Sequence, residues 1–246
     1  MNLILLAPGE VDDAQTVTLR DARAAHIRAV LRAACGDEVR VGLIDGPLGA
    51  ARVTAIDEVS VTLACGFSGD APPRPRVDLL LAVPRPKVLG RLWAQLAALG
   101  VGRIILTNAA RVERNYFDTH FLREDVYRAL LVEGLQQARD TRLPHVSIHR
   151  RLKVLIEDEL DGLTDAGVRV IADPSGSQRV GEALRADATA RVVLAVGPEG
   201  GWVPYERDLL ASHGFRAVDM GPRTLRSDTA CIALLALVHD AISERG

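Results

Sequence analysis

Cysteine is scarce. Cys35, Cys65 and Cys231 are the only three in 246 residues, and no two stand at C-x-x-C spacing. That excludes a disulfide framework and a zinc site of paired cysteines, and it fits a chain working in a reducing cytoplasm. No second histidine or cysteine stands near His26 at metal spacing, and no other metal constellation is present. Residues 1–7 lack the basic start and long apolar core of a signal peptide. The longest apolar run, Ala230 to Val238, is too short to span a bilayer, so a cytoplasmic protein without membrane contact is expected. Both common nucleotide-binding glycine patterns are missing: no Gly-Lys-Ser/Thr phosphate loop and no G-x-G-x-x-G. Lysine is nearly absent, Lys87 and Lys153 being the only two. A net charge of −2 rules out a polycation and leaves room for a local basic patch. The basic residues are therefore almost all arginine, which suits bidentate phosphate recognition; a compositional bias of the source genome explains it equally well.

What is present is a globular composition, 48% hydrophobic and 25% charged, over a length that allows one large or two modest domains. Residues 1–70 read as short β runs with tight turns: Leu3 to Leu6, Glu38 to Ile44, Ala50 to Ile56 and Ser60 to Ala64, with a short helix over Asp21 to Ala33 carrying Ile27, Val30 and Leu31 inward. A small β-barrel is expected. Three prolines between Ala71 and Arg76 mark a stiff linker, residues 71–76. From Val77 to the end at 246, strand and helix alternate. Apolar strands at Val77 to Val83, Arg103 to Thr107, His145 to Ile148, Val168 to Ala172, Val192 to Val196 and Arg216 to Asp219 predict an α/β domain with a parallel sheet. Helices are expected over Pro86 to Leu99, about Arg123 to Arg139, and around Leu152 to Glu159. Ligands in such sheets bind at the carboxyl ends of the strands.

Two loops leave those ends with unusual chemistry. Val196-Gly197-Pro198-Glu199-Gly200-Gly201 places three glycines within five residues, so backbone can approach a ligand with no Cβ in the way. Some twenty residues later comes Met220-Gly221-Pro222-Arg223-Thr224-Leu225-Arg226-Ser227-Asp228-Thr229-Ala230, with two arginines three apart and a Ser-Asp N-cap arrangement before a long apolar helix. Either loop alone reads equally well as an ordinary strand-to-helix turn.

Together the two loops resemble the signature loops of the SPOUT methyltransferases, and within them the RsmE family. His26-Ile27-Arg28-Ala29-Val30-Leu31-Arg32, followed by Gly36-Asp37-Glu38-Val39, is similar to the family's amino-terminal region. The resemblance implies a PUA-like RNA-binding β-barrel, then a SPOUT α/β domain whose carboxyl-terminal part forms a trefoil knot. It implies methylation of N3 of a uridine in small-subunit ribosomal RNA, with S-adenosyl-L-methionine as cofactor. In the middle the chain departs from the family: Gln95 and Ala98 stand where a Lys and a Glu are usual, and Gln136-Gln137-Ala138 replaces Glu-Gln-Ser/Cys. Asp228 replaces a Glu and keeps the charge.

By the same resemblance the cofactor should lie against Ala172, Asp173, Val196, Gly197, Pro198, Glu199, Gly200, Gly201, Met220, Gly221, Leu225 and Ala230. Glu199 either anchors its loop or meets the substrate. Arg223, Arg226 and Asp228 are the catalytic candidates. Uridine N3 must lose a proton before or during attack, and a guanidinium beside O2 or O4 would stabilise the resulting anion. The competing reading pairs Arg226 with Asp228 as a structural clamp. RNA contacts are expected from Arg20, Arg23, Arg28 and Arg32, which by charge alone also read as a solvated helix face, and from Arg85, Lys87, Arg91, Arg111, Arg114, Arg139 and Arg142. The partner is then ribosomal RNA or the small ribosomal subunit. The last helix is apolar almost all the way round, and family resemblance points to a homodimer through it. Two other classes stay open: a non-catalytic RNA-binding or assembly factor, and a small-molecule enzyme using the same crevice.

Overall fold

A computed structural model of the chain describes residues 3–185 and 190–243. It divides into two compact units, Met1–Arg74 with Val132–Leu143, and Pro75–Leu131 with Pro144–Gly246.

The first unit is a curled five-stranded sheet in the order β1-β3-β4-β5-β2. Its strands are β1 (Ile4–Leu6), β2 (Thr16–Leu19), β3 (Glu38–Leu43), β4 (Leu48–Ile56) and β5 (Val61–Phe67). Only the β1–β3 pair is parallel, and β4 carries a bulge between Val53 and Ala55. Alternation drives the curl: Val39, Val41, Ala51, Val53, Val61 and Leu63 all face one core with Leu6 and Leu19. Helix α1 (Ala22–His26) continues into a wider π-helical turn, Ile27–Leu31. This widening changes the expected inward face. Ile27 is fully buried, Leu31 only half so, and Val30 is 62% exposed. A π turn advances each residue by less than the α spacing, so Val30 rotates away from the core. Residues 132–143 complete the unit. The Thr141 hydroxyl donates to the Gly46 carbonyl at 2.6 Å, and the Asp45 amide donates to the Thr141 carbonyl at 2.8 Å.

The second unit is a seven-stranded sheet, every neighbouring pair parallel, in the order β10-β12-β9-β11-β6-β7-β8. Its strands are β6 (Val77–Ala82), β7 (Val101–Thr107), β8 (His145–His149), β9 (Val168–Ala172), β10 (Gln178–Arg179), β11 (Val192–Val196) and β12 (Phe215–Asp219). β11 and β6 are buried at every position, as central strands covered on both faces must be. Asp78 is the one charge within β6 and is 1% exposed. Arg191 meets it at 3.0 Å and the Thr164 hydroxyl donates to it at 2.7 Å, so the buried charge is fully partnered.

The covering helices are α2 (Pro86–Ala98), α3 (Glu124–Ala138, which ends in the first unit), α4 (Leu152–Val154) with α5 (Leu160–Leu163), α6 (Val180–Leu184), α7 (Pro204–Ser212) and α8 (Ser227–Ile242). Between α4 and α5 runs another π-helical stretch, Leu155–Glu159. Glu159 there meets His149 Nδ1 at 2.6 Å, and His149 Nε2 meets the Ser147 hydroxyl at 3.0 Å, which braces this stretch to β8. In α2, Leu89, Leu92, Trp93 and Leu96 are buried, the face its spacing predicts. After β12, which stands two strands from β11, the chain doubles back so that α8 packs against β11, β6 and α2. That return is where the resemblance places the trefoil knot. No helix among the described residues is long and apolar enough to cross a membrane.

Candidate active site

Because all seven strands run the same way, their carboxyl ends form one rim. The loops after β9, β11 and β12 leave neighbouring positions on it, since β9 lies between the other two. The loop after β11 is shaped by its glycines. A Cβ on Gly197 would stand 2.9 Å from Trp202 Nε1, and one on Gly200 would stand 2.8 Å from Arg111 Cδ. Gly201 has φ +75°, a left-handed conformation that disfavours any side chain. Arg111 donates a hydrogen bond to the Gly200 carbonyl. The Arg85 amide donates to Glu199 at 3.4 Å, and the Arg85 guanidinium lies 3.8 Å from the same carboxylate. Glu199 therefore anchors its loop to the one after β6.

Asp173 follows β9 in a buried position, where its Oδ1 accepts from the Ser175 amide at 2.8 Å and from the Ser175 hydroxyl. Arg207 stands 3.6 Å away. Gly176 then passes against β12: a Cβ there would meet backbone atoms of Val218, Ala217 and Asp219 at 2.7–2.9 Å. In the loop after β12, Gly221 has φ +110° and donates its amide to Asp219, which also takes Arg179 at 2.6 Å.

Arg223 and Arg226 are exposed, and the guanidinium of neither makes a hydrogen bond or ion pair among the described residues; the Arg226 carbonyl accepts from the Ala230 amide at 2.8 Å. The expected Ser-Asp cap is not formed. Arg226 is the N-cap residue, Ser227 is already helical and buried, and Asp228 accepts instead from the Thr229 amide at 2.9 Å. Asp228 pairs with Arg91 of α2 at 3.0 Å, so the Arg226–Asp228 clamp is absent. Burial pushes the Asp228 carboxyl up, but the Thr229 amide and the Arg91 guanidinium outweigh it, and the net pKa lies below the usual Asp value.

Of the arginines expected on RNA, the structure divides two groups. Arg85, Lys87, Arg91, Arg111 and Arg114 are exposed in the second unit, on or near the loops after β6 and β7. Arg20, Arg23, Arg28, Arg32, Arg139 and Arg142 belong to the first unit. Arg23 is engaged there with Glu10 at 2.6 Å and Asp21 at 2.7 Å, and these carboxylates, Glu10 foremost, push its pKa up. Arg28 donates to the Asp57 carbonyl, and Arg142 to the carbonyls of Pro72 and Asp45. Arg20 and Arg32 stand exposed.

Three residues of the site escaped the sequence reading. Trp202 is 4% exposed, and its indole N–H has no hydrogen-bond partner among the described residues. Glu206, also 4% exposed, accepts from the Ala110 amide at 2.7 Å and the Val203 amide at 3.0 Å, tying the loop after β7 to the start of α7. Its signal was legible, because Pro204 and Glu206 occupy the first and third positions of a helix. Arg179 carried no such signal.

Residues 72–239 match the family model for the RNA methyltransferase domain. The chain is 32% identical to the ribosomal RNA small subunit methyltransferase E of Treponema pallidum, over 97% of this chain and 90% of that one. This chain belongs to the ribosomal RNA small subunit methyltransferase E family. The relative named methyltransferase E 1 in Borreliella burgdorferi is 24% identical, over 95% of each chain. Among solved structures, the methyltransferase E of Neisseria gonorrhoeae, bound to S-adenosyl methionine, shares the fold with a TM-score of 0.78 at 21% identity, over 98% of this chain and 97% of that one. Methyltransferase E membership thus extends through both units, not only the parallel sheet.

Proposed function

We propose that this chain transfers a methyl group from S-adenosylmethionine to N3 of a uridine in small-subunit ribosomal RNA. The observation that carries the reading is the placement of two glycine-bearing loops, after β11 and β12, on one rim of a parallel sheet in a chain of this family. The residues suit the cofactor. At Gly201 nothing stands within 4 Å of an added Cβ, the missing Cβ of Gly197 lets its backbone lie against Trp202, and the indole N–H of Trp202 is buried and unpaired there among the described residues.

When bound, the cofactor supplies an electrophilic methyl group on a sulfonium. Ala172, Asp173, Val196, Gly197, Pro198, Glu199, Gly200, Gly201, Met220, Gly221, Leu225 and Ala230 would hold it. Arg223 and Arg226 have free guanidiniums that can stabilise negative charge on the uracil oxygens as N3 loses its proton. Asp228, charged and fixed by Arg91, positions the start of α8 and is a poor proton acceptor. The first unit supplies further RNA contacts.

The protein is further proposed to act as a homodimer. Ala233, Ala236 and Leu237 form a stripe on α8 with Thr229 and Asp240, and Leu237 is 45% exposed. Mapping of 3-methyluridine in ribosomal RNA by mass spectrometry tests the activity. Loss of the mark on deletion, and its return with the purified chain and S-adenosylmethionine, is the expected result; persistence of the mark in the deletion strain overturns the target.

A further inference from the structure

We propose that the cavity beside the edge strand β8 is a subsite for an unpaired nucleotide of the RNA, flanking the one that reacts. The inference rests on the RNA methyltransferase reading and extends it to residues outside the crevice. The sheet order runs β11-β6-β7-β8, so the end of β8 stands three strands from the glycine loop. At about 4.8 Å per strand this is roughly 14 Å, a span that a few nucleotides of single strand can cover.

A cavity of about 440 Å³ lies there, against Ile148 of β8 and the turn that holds Phe117 to Arg123. That volume falls among those of small-ligand sites. Phe117, Leu122 and Ile148 give it an apolar wall. Among the described residues β8 hydrogen-bonds to β7 alone, as the edge strand of the sheet, and Ile148 on it is 39% exposed. Arg150, just past the end of β8, lies over the Phe117 ring with its guanidinium carbon 5.0 Å from the centroid. Arg123 also lines the cavity, oriented by Asp125 at 2.8 Å.

Phe117 is buried beneath Arg150, so the surface left for an unpaired base to stack on is the exposed Arg150 guanidinium, seated on the ring beside the apolar wall. Arg150 offers donors in a fork that fits phosphate, while the Nε and Nη2 edge of Arg123 is held by Asp125. Asp118 is the one carboxylate of the lining; it repels a phosphate and can accept from a base N–H, which sets the base inward and the phosphate outward. Arg85 after β6 and Arg111 and Arg114 after β7 mark the route between the crevice and the subsite. Arg111 is tied to the glycine loop itself through the Gly200 carbonyl.

The test uses the full chain, a fluorescein-labelled single-stranded RNA spanning the methylated uridine, and the variants Arg150→Glu and Phe117→Leu. Arg150→Glu should weaken RNA binding at least tenfold. Phe117→Leu keeps apolar bulk and removes the ring that seats the Arg150 guanidinium, and should weaken it about fivefold or more. S-adenosylmethionine affinity by calorimetry and the melting temperature should stay at wild-type values for Arg150→Glu, which reports on a surface side chain even if Phe117→Leu folds poorly. A 4-thiouridine placed beside the target should crosslink to a peptide within residues 117–123 or 148–150. Unchanged RNA affinity for Arg150→Glu, or crosslinks confined to other peptides, overturns the subsite. If that variant loses affinity only for small ribosomal subunits and not for RNA, the cavity seats a protein and the nucleotide assignment is wrong. Failure of the wild-type chain to methylate RNA instead overturns the reading beneath the inference.

Discussion

Arg91 of α2 and Asp228 of α8 meet at 3.0 Å across 137 residues of sequence. The contact settles which arginine occupies the carboxylate at the entrance to α8, and it leaves the Arg226 guanidinium without a partner among the described residues. A free guanidinium beside the proposed cofactor loops costs little to aim at a substrate, because no ion pair has to break first.

Substituting Arg226 with Ala should therefore leave the melting temperature and S-adenosylmethionine affinity close to wild type, while methyl transfer falls about a hundredfold. Single-turnover kinetics with saturating RNA checks the outcome. Stability, cofactor binding and activity falling together would show a structural arginine instead.

Asp228 sets a pH expectation with a definite sign. Its folded pKa lies below the ordinary 3.8, so the stabilisation is fully present above about that pH and is lost as pH falls through the lower, folded value. The melting-temperature difference between wild type and Asp228→Asn should be flat from pH 5 to 9 and shrink in stronger acid. The pair is partly exposed, so the plateau should correspond to about 1 kcal/mol or less. A difference that grows as pH falls from 7 to 5 would contradict this.

His239 of α8 gives a second window. Burial pushes its pKa below 6.5, with Arg76 adding to the effect and the Leu99 and Gly100 carbonyls opposing it. The unfolded chain then takes up the proton first, so stability should decline as pH drops below about 6.5 toward the folded value. His239→Gln should flatten that slope in thermal melts between pH 7.5 and 5.5.

Glycines of the second unit should differ sharply in tolerance. A Cβ at Gly176 would press on backbone of β12 at 2.7–2.9 Å, where no side chain can swing aside. Gly176→Ala should cost about 1–3 kcal/mol and weaken cofactor binding by shifting the Asp173 turn. Gly181 in α6 has nothing within 4 Å of its added Cβ, and Gly181→Ala should be neutral or stabilise by up to about 1 kcal/mol. Denaturant titration of the two variants decides the matter.

Leu237 tests the dimer. Leu237→Glu places a charge on the exposed stripe of α8 without touching the buried residues Leu234, Leu235 and Val238. Sedimentation should show the wild type at twice 26.5 kDa and the variant shifted toward that single mass. A wild type that sediments at the single mass at micromolar protein removes the proposal.

The apolar strands were legible because runs such as Val192 to Val196 have one physical solution, a strand covered on both faces. Strand β2 was not, since Thr16–Leu19 is only four residues and half polar, and its place is decided by pairing with β5. The two-residue β10 lies below any pattern's reach. In the candidate site, the glycine loops showed themselves through composition. Their braces did not: Arg111 to Gly200, Arg85 to Glu199 and Arg91 to Asp228 join positions about 90 to 140 residues apart, and nothing local marks them. Val30 misled because apolar spacing assumed an α turn where the backbone widens into a π turn.

The excursion of residues 132–143 into the first unit bears on how the molecule is born. When the first 74 residues leave the ribosome, the hydroxyl that will bind Gly46 and the guanidinium that will bind Asp45 and Pro72 have not been synthesised, since they belong to Thr141 and Arg142. By the time those two residues emerge, β6, α2 and β7 are already outside and can begin to pair. The amino-terminal unit is thus the first to start and cannot be the first to finish: its last stitches arrive after the other has begun, and the two must mature interleaved rather than in succession.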